Sequence, residues 1–284
     1  MSTFTTSMFE SIKGALTKDN GPTASKIKDY LRCEVGNTYT VRLLPNVKDP
    51  SKTFFHYYSY GWNSLTTGQL VTAISPTTWN QRDPIAEERF RVLRNGTDKE
   101  KEKALAIKRR ENWMVNIFVI NDPVNPDNNN KTKVLRFGRQ LHKIIMDAIE
   151  GEEAEDLGPR IFDLSPKGCN LRIKVEKQGD YPTYVSSKFS TPKEIEGLDE
   201  DSYNKIYSGA YDLESYVSVK SYDELKGLLD AHYHCTKDVE DSEVITTKTS
   251  APTPVVEVVA IKKPAAAKTT AEEDDSISEL LKDL

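Results

Sequence analysis

Cysteine is scarce in this chain of 284 residues: Cys33, Cys169 and Cys235 are scattered, odd in number and without CxxC spacing. A disulfide framework is therefore not expected, and a reducing cytosol suits the chain best. Long apolar runs are missing too, with no stretch near the roughly 20 residues that cross a bilayer. The opening MSTFTTSMFESIKGAL has neither the basic start nor the apolar core of a secretion signal. No membrane partner is expected. Catalytic signatures are absent as well: there is no phosphate-cradling GxxxxGK followed by Ser or Thr, no GxGxxG, no HExxH and no GxSxG. We expect a binding protein rather than an enzyme. Asp122, Asp127 and Asp163 lie near turns, where carboxylates are usually turn formers. They leave a metal-dependent nuclease as an alternative from another class. His232-Tyr-His234-Cys235 is the one cluster resembling metal ligands, and no second Cys or His pair accompanies it at finger spacing.

What is present is an uneven layout of charge. The formal net charge is −5, but residues 239–284 hold ten Asp/Glu and five Lys, which is the whole of that excess. The remaining residues carry 34 charges of each sign and sum to zero. Within Arg89–Trp113 nine bases face four acids, and Lys131–Lys143 has five bases and no acid. Such a chain can attract a polyanion with its middle and imitate one with its end. Hydrophobic residues make up 37%, low enough that part of the length is expected to stay unpacked.

The pattern divides the chain into four. Residues 1–25 read as a detachable, flexible arm, with Met8, Ile12 and Leu16 on one helical stripe behind the capping-box spacing of Ser7 and Glu10. Such a short helix needs a surface to dock on, its own body or a neighbouring copy. Residues 26–238 form the core. Thr38–Leu44, Phe54–Tyr60, Leu70–Ile74, Trp113–Ile120, Thr132–Phe137 and Leu171–Lys177 read as strands, and Glu87–Leu93, Lys99–Ile107 and Gln140–Ile149 as helices. Several short strands with inserted helices predict a mainly β, α+β fold, an OB-type barrel with helical elaborations, rather than a parallel α/β sheet. Residues 239–271, rich in Thr, Pro, Val, Ala and Lys, read as a flexible linker. Residues 272–284 form a disordered acidic tail. There Ile277, Leu280, Leu281 and Leu284 make an apolar stripe among Asp274, Asp275, Glu279 and Asp283, suited to partner proteins.

Binding a single nucleic-acid strand requires cations for phosphates and flat rings for bases. Lys108, Arg109 and Arg110 precede Trp113 at the mouth of a strand. Lys133, Arg136, Phe137 and Arg139 lie on and beyond its partner. Tyr181, Tyr184 and Lys188 repeat the mixture, Tyr58 and Trp62 belong to an aromatic cluster, and Arg42 sits on the first strand. A single Tyr or Trp in a strand is more often core than platform. The repetition is what points to nucleic acid.

These residues carry a resemblance. Tyr39-Thr-Val-Arg-Leu-Leu-Pro45, Trp113-Met-Val-Asn-Ile-Phe-Val-Ile-Asn-Asp-Pro123, Val134-Leu-Arg-Phe-Gly-Arg139, Asn170-Leu-Arg-Ile-Lys-Val175, Ser187-Lys-Phe189 and the terminal Asp275…Leu280-Leu281-Lys282-Asp283-Leu284 agree in order and spacing with one family from about Lys28 onward. The chain resembles the single-stranded-DNA-binding, helix-destabilising proteins of T-even-type bacteriophages, as a divergent member. The resemblance implies an OB-fold core that binds single-stranded DNA with little sequence preference in replication, recombination and repair. It implies an arm for cooperative self-association into filaments, and a tail that docks phage replication and recombination proteins in the cytoplasm of the infected host. DNA-contact positions carried over are Arg42, Lys108, Arg109, Arg110, Trp113, Arg136, Arg139, Tyr181 and Tyr184. An RNA-binding translational regulator on the same fold is the alternative, and an acidic adaptor whose body binds protein is a further one.

Two departures matter. The family archetype holds a structural zinc with one His and three Cys. Here the matching stretches read Tyr60-Gly61-Trp62, Ala73-Ile74 and Asp83-Pro84-Ile85-Ala86, so no cofactor is expected, and an aromatic repacking of Tyr60, Trp62 and Trp79 is expected instead. The archetype's arm also carries a short basic run followed by Ser/Thr, for which this arm offers only Lys13, Lys18 and Ser25-Lys26-Ile27-Lys28.

Overall fold

The computed structural model describes residues 28–236. The arm 1–25, the linker 239–271 and the tail 272–284, with Asp274, Asp275, Ile277, Glu279, Leu280, Leu281, Asp283 and Leu284, lie outside the described residues. In chain order the elements are β1 (Thr38–Leu44), β2 (Phe54–Asn63), β3 (Leu70–Ile74), α1 (Pro84–Asn95), α2 (Asp98–Ala104), β4 (Arg110–Asn121), β5 (Lys131–Phe137), α3 (Arg139–Glu150), β6 (Cys169–Lys174), β7 (Glu176–Gln178), β8 (Tyr181–Thr183), β9 (Lys188–Pro192), α4 (Glu200–Ser208) and α5 (Tyr222–Leu229), with short 3-10 turns between them. The class is mixed α and β around an antiparallel sheet. Seven strands join in the order β3-β2-β4-β1-β6-β9 with β5 paired to β4, and β7–β8 is a separate hairpin.

β4 is the spine. Its first half, from Arg110 to Val115, pairs with β2; its second half, Asn116 to Asn121, pairs with β1; and Trp113 to Val119 also pairs with β5. A strand enclosed in this way has no solvated face. Trp113, Val115, Ile117 and Val119 point into one core and Met114 and Phe118 into others, all buried. The unbroken apolar run Trp113–Ile120 reflects that double burial.

β1 obeys the alternation of its sequence: Tyr39, Val41 and Leu43 enter the main core, together with Leu171 and Ile173 of β6. α3 closes that core with Leu141, Ile145 and Ala148, the stripe visible in its spacing. A second core gathers Tyr60, Trp62, Val71, Ala73, Ile85, Ile107, Leu225, Leu229 and Tyr233 from the far ends of β2 and β3, from α1, and from α5 with the turn after it. Helix starts explain its outline. Asp83 caps α1 with Pro84 behind it, and capping boxes Thr97/Glu100 and Ser221/Glu224 open α2 and α5. The segment Leu105–Arg110 leaves α2, drops Ile107 into the second core and runs into β4. Basic residues thereby collect where the two cores meet.

Arg42 is a correction to the sequence expectation. It is fully buried on β1, and all its donors are spent inside the protein. Nε and Nη2 donate to Asn170 Oδ1 at 2.8 and 2.5 Å, Nη1 to the carbonyls of Asp163 and Ser165 at 2.5 and 3.2 Å, and Nη2 to Lys193 O at 2.7 Å. Burial lowers its pKa from the ordinary arginine value. Gly168 permits the arrangement, because a Cβ there would collide with the Arg42 guanidinium and the Asp163 carbonyl. Arg42 tethers β1 to the 163–170 loop and has no atom free for a phosphate.

Candidate nucleic-acid interface

Lys108, Arg109, Arg110 and Arg139 line one open cleft of about 400 Å³, together with Leu105, Ala106 and Glu111. Lys108–Arg110 arrive on the segment entering β4, and Arg139 starts α3 directly after β5. Four cations against one carboxylate make the cleft a place for a polyanion.

The cations are held in different ways. The Arg109 guanidinium lies over the Tyr58 ring at 3.9 Å from its centroid, and its Nη1 donates to Thr77 Oγ1 at 2.8 Å. Arg110 donates to the Gly61 carbonyl at 3.2 Å. Arg139 donates through Nε to Glu111 Oε2 at 2.8 Å, which leaves both of its Nη groups for other acceptors. Glu111 also accepts His56 Nε2 through Oε1 at 2.9 Å. Lys108 makes no ion pair among the described residues.

Beneath this row lies a stack of rings. Trp113 is only 9% exposed and is contacted by His56 (centroids 5.0 Å apart, planes at 30°), His142 (4.0 Å, 20°) and Phe137 (6.2 Å, 18°). Burial holds the His142 imidazole below the ordinary histidine value; the Glu111 charge opposes this and His56 adds to it.

The hairpin β7–β8 adjoins the same end of the sheet. Gln140, next to Arg139, accepts the Tyr184 amide on Oε1 at 2.9 Å. Tyr181 stands 78% exposed on β8, while Tyr184 is half-buried against the main core.

The structure brings Lys108, Arg109, Arg110, Arg139 and Tyr58 together, with Tyr184 one residue beyond through Gln140 and Tyr181 exposed on the same hairpin. Other expected positions lie elsewhere. Trp62 and Phe137 are buried, the first in the second core and the second in the main core, so neither ring offers a face to a base. Trp113 is sandwiched and is likewise no open platform. Arg136 is exposed on the opposite face of the sheet, opposite Met114 and beside Tyr57. Lys133 Nζ donates to the Lys28 carbonyl at 2.6 Å. Lys188 is exposed on β9 across from Arg172. Sequence reasoning missed His56, Glu111, Gln140 and His142. Only the cross-strand pairing of His56 with Trp113, and of Tyr58 with Glu111, puts Glu111 in the cleft and His56 beside it.

The residues that stand where the resembled family's archetype has zinc ligands are already engaged with one another. Asp83 Oδ2 accepts the Tyr60 hydroxyl at 2.8 Å and the Ser75 hydroxyl, and Oδ1 accepts the amides of Ile85 and Ala86 at 2.9 and 3.2 Å. Burial and then the Asp83 charge push the Tyr60 phenol well above its ordinary value. One fully engaged carboxylate and a protonated phenol, beside Ala73, Ile85 and Trp62, do not fit a tetrahedral N/S zinc site. Trp79, expected in this repacking, lies instead against Phe55 and donates Nε1 to Glu214 at 3.3 Å. His232, His234 and Cys235 diverge toward Ser64, Glu88 and Thr66.

A cationic cleft edged by aromatic residues on an antiparallel sheet is an arrangement suited to a polyanion. Residues 36–233 match the family described as gp32 DNA binding protein like, and the chain belongs to that family. It is 27% identical over 220 residues to the single-stranded DNA-binding protein of Enterobacteria phage T4, covering 75% of this chain and 70% of that protein. It is 28% identical over 193 residues to the protein of the same name from Enterobacteria phage T2, covering 65% of this chain and 62% of that one.

Proposed function

We propose that this protein binds single-stranded DNA, with little sequence preference, during phage DNA replication, and that it acts by binding and not as an enzyme. The observation that carries the reading is the cleft of Lys108, Arg109, Arg110 and Arg139 in a chain of this family. Phosphates displace condensed counterions there, which supplies salt-sensitive affinity without reading sequence. Tyr181 and the rings beside Glu111 are available for bases, since every base has a π-face. Binding only the unpaired form destabilises duplex DNA by mass action.

The finer parts of the reading rest on sequence and family. The core 26–238 is an OB-type barrel with helical additions and no metal. The arm 1–25 supports cooperative association along the strand. The tail 272–284, beyond the linker 239–271, competes with phosphate for the cleft and recruits replication, recombination and repair proteins in the host cytoplasm. Among the described residues no helix is long and apolar enough to cross a membrane.

The test is a salt titration of poly-dT binding. Affinity should fall steeply and linearly in log–log form, with a slope of about −0.7 for each phosphate neutralised. No binding at low salt, or binding indifferent to salt, would refute the reading.

A further inference from the structure

The ring ladder at the cleft has an open end. Phe137, Trp113 and His56 follow one another across β5, β4 and β2. The first two are buried, but the His56 side chain is 40% exposed. Its position is set from three sides: one face lies against Trp113, Tyr58 meets it edge-on at 4.8 Å, and Nε2 donates to Glu111 at 2.9 Å. Glu111 in turn holds Arg139, so the imidazole shares its carboxylate partner with an arginine that lines the cleft. A flat ring at this place, pinned at one nitrogen and next to phosphate-binding cations, is what a base platform requires.

We propose that His56 is the base-contacting ring of this cleft, stacking on a nucleobase of single-stranded DNA. The proposal rests on the single-stranded-DNA reading above. Trp113 serves as the backing of the platform and is not itself the platform.

The experiment measures binding of the full chain to a fluorescent oligo-dT across a salt series. His56→Ala should lose about 5- to 100-fold in affinity, the range for removing one stacked ring, with the log–log salt slope unchanged. His56→Phe should restore most of that affinity. Wild-type affinity in His56→Ala, or a loss in His56→Ala that His56→Phe does not recover, would overturn the proposal. Absence of any oligo-dT binding by the wild-type protein would instead refute the single-stranded-DNA reading itself.

Discussion

The guanidinium carbon of Arg109 stands over Tyr58, 3.9 Å from the ring centroid, while Thr77 fixes one of its nitrogens. An arginine on an aromatic face keeps its charge and much of its donor edge, yet has lost most of its conformational freedom before a ligand arrives. Such a residue can grip a phosphate at low entropic cost.

Arg109→Ala should therefore weaken single-stranded DNA binding and reduce the log-affinity against log-salt slope by roughly 0.7. Arg109→Lys should keep the slope and still lose affinity, since lysine is a point charge without the planar stack. Salt titrations of the three proteins on one oligonucleotide check both. An unchanged slope in the alanine variant would place Arg109 outside the phosphate path.

Arg42→Gln should act on stability. It leaves the carbonyls of Asp163, Ser165 and Lys193 short of donors in a closed site, a loss of about 2–4 kcal/mol. Thermal unfolding should show a large fall in Tm. Gly168→Ala should reproduce it, because the added methyl group meets the same guanidinium. At a temperature where the Arg42 variant stays folded, its salt slope should equal that of the wild type.

Asp83 ties β2, the turn before α1 and the start of α1 to one point. Asp83→Ala should cost about 2 kcal/mol or more, combining a lost helix cap with two stranded buried hydroxyls. Elemental analysis of the purified wild-type protein should find no stoichiometric zinc, and a chelator should leave its Tm unchanged. One zinc per chain would contradict a metal-free tie at Tyr60 and Asp83.

Deleting residues 272–284 should raise affinity for single-stranded DNA, most at low salt where screening is least. Leu280→Ala with Leu281→Ala should leave DNA affinity nearly unchanged and abolish capture of replication partners, separating the tail's charge from its leucines. Unchanged low-salt binding in the truncated chain would make the tail a passive end.

The amino-acid sequence by itself determined the strand alternation of β1, the doubly buried β4, the apolar stripe of α3 and the concentration of bases around residues 89–113 and 131–143. These are local quantities: side-chain period, turn residues and charge per length of chain. It left α4, α5 and the β7–β8 hairpin unread, since each is short and acquires its apolar face only from the core it joins.

Tertiary structure decided which of the charged and aromatic residues share a surface. Arg42 and Arg109 look alike as basic residues beside strands. One is walled in by Asn170 and three carbonyls, while the other lies on Tyr58 in an open cleft. Trp113 reads as a platform until pairing sets His56 on one neighbouring strand and Phe137 on the other. A one-residue change of register would send each of these side chains to the opposite face of the sheet. The place of His56 beside the cleft is thus written in the alignment of β2 against β4, a long-range relationship that composition and local periodicity do not encode.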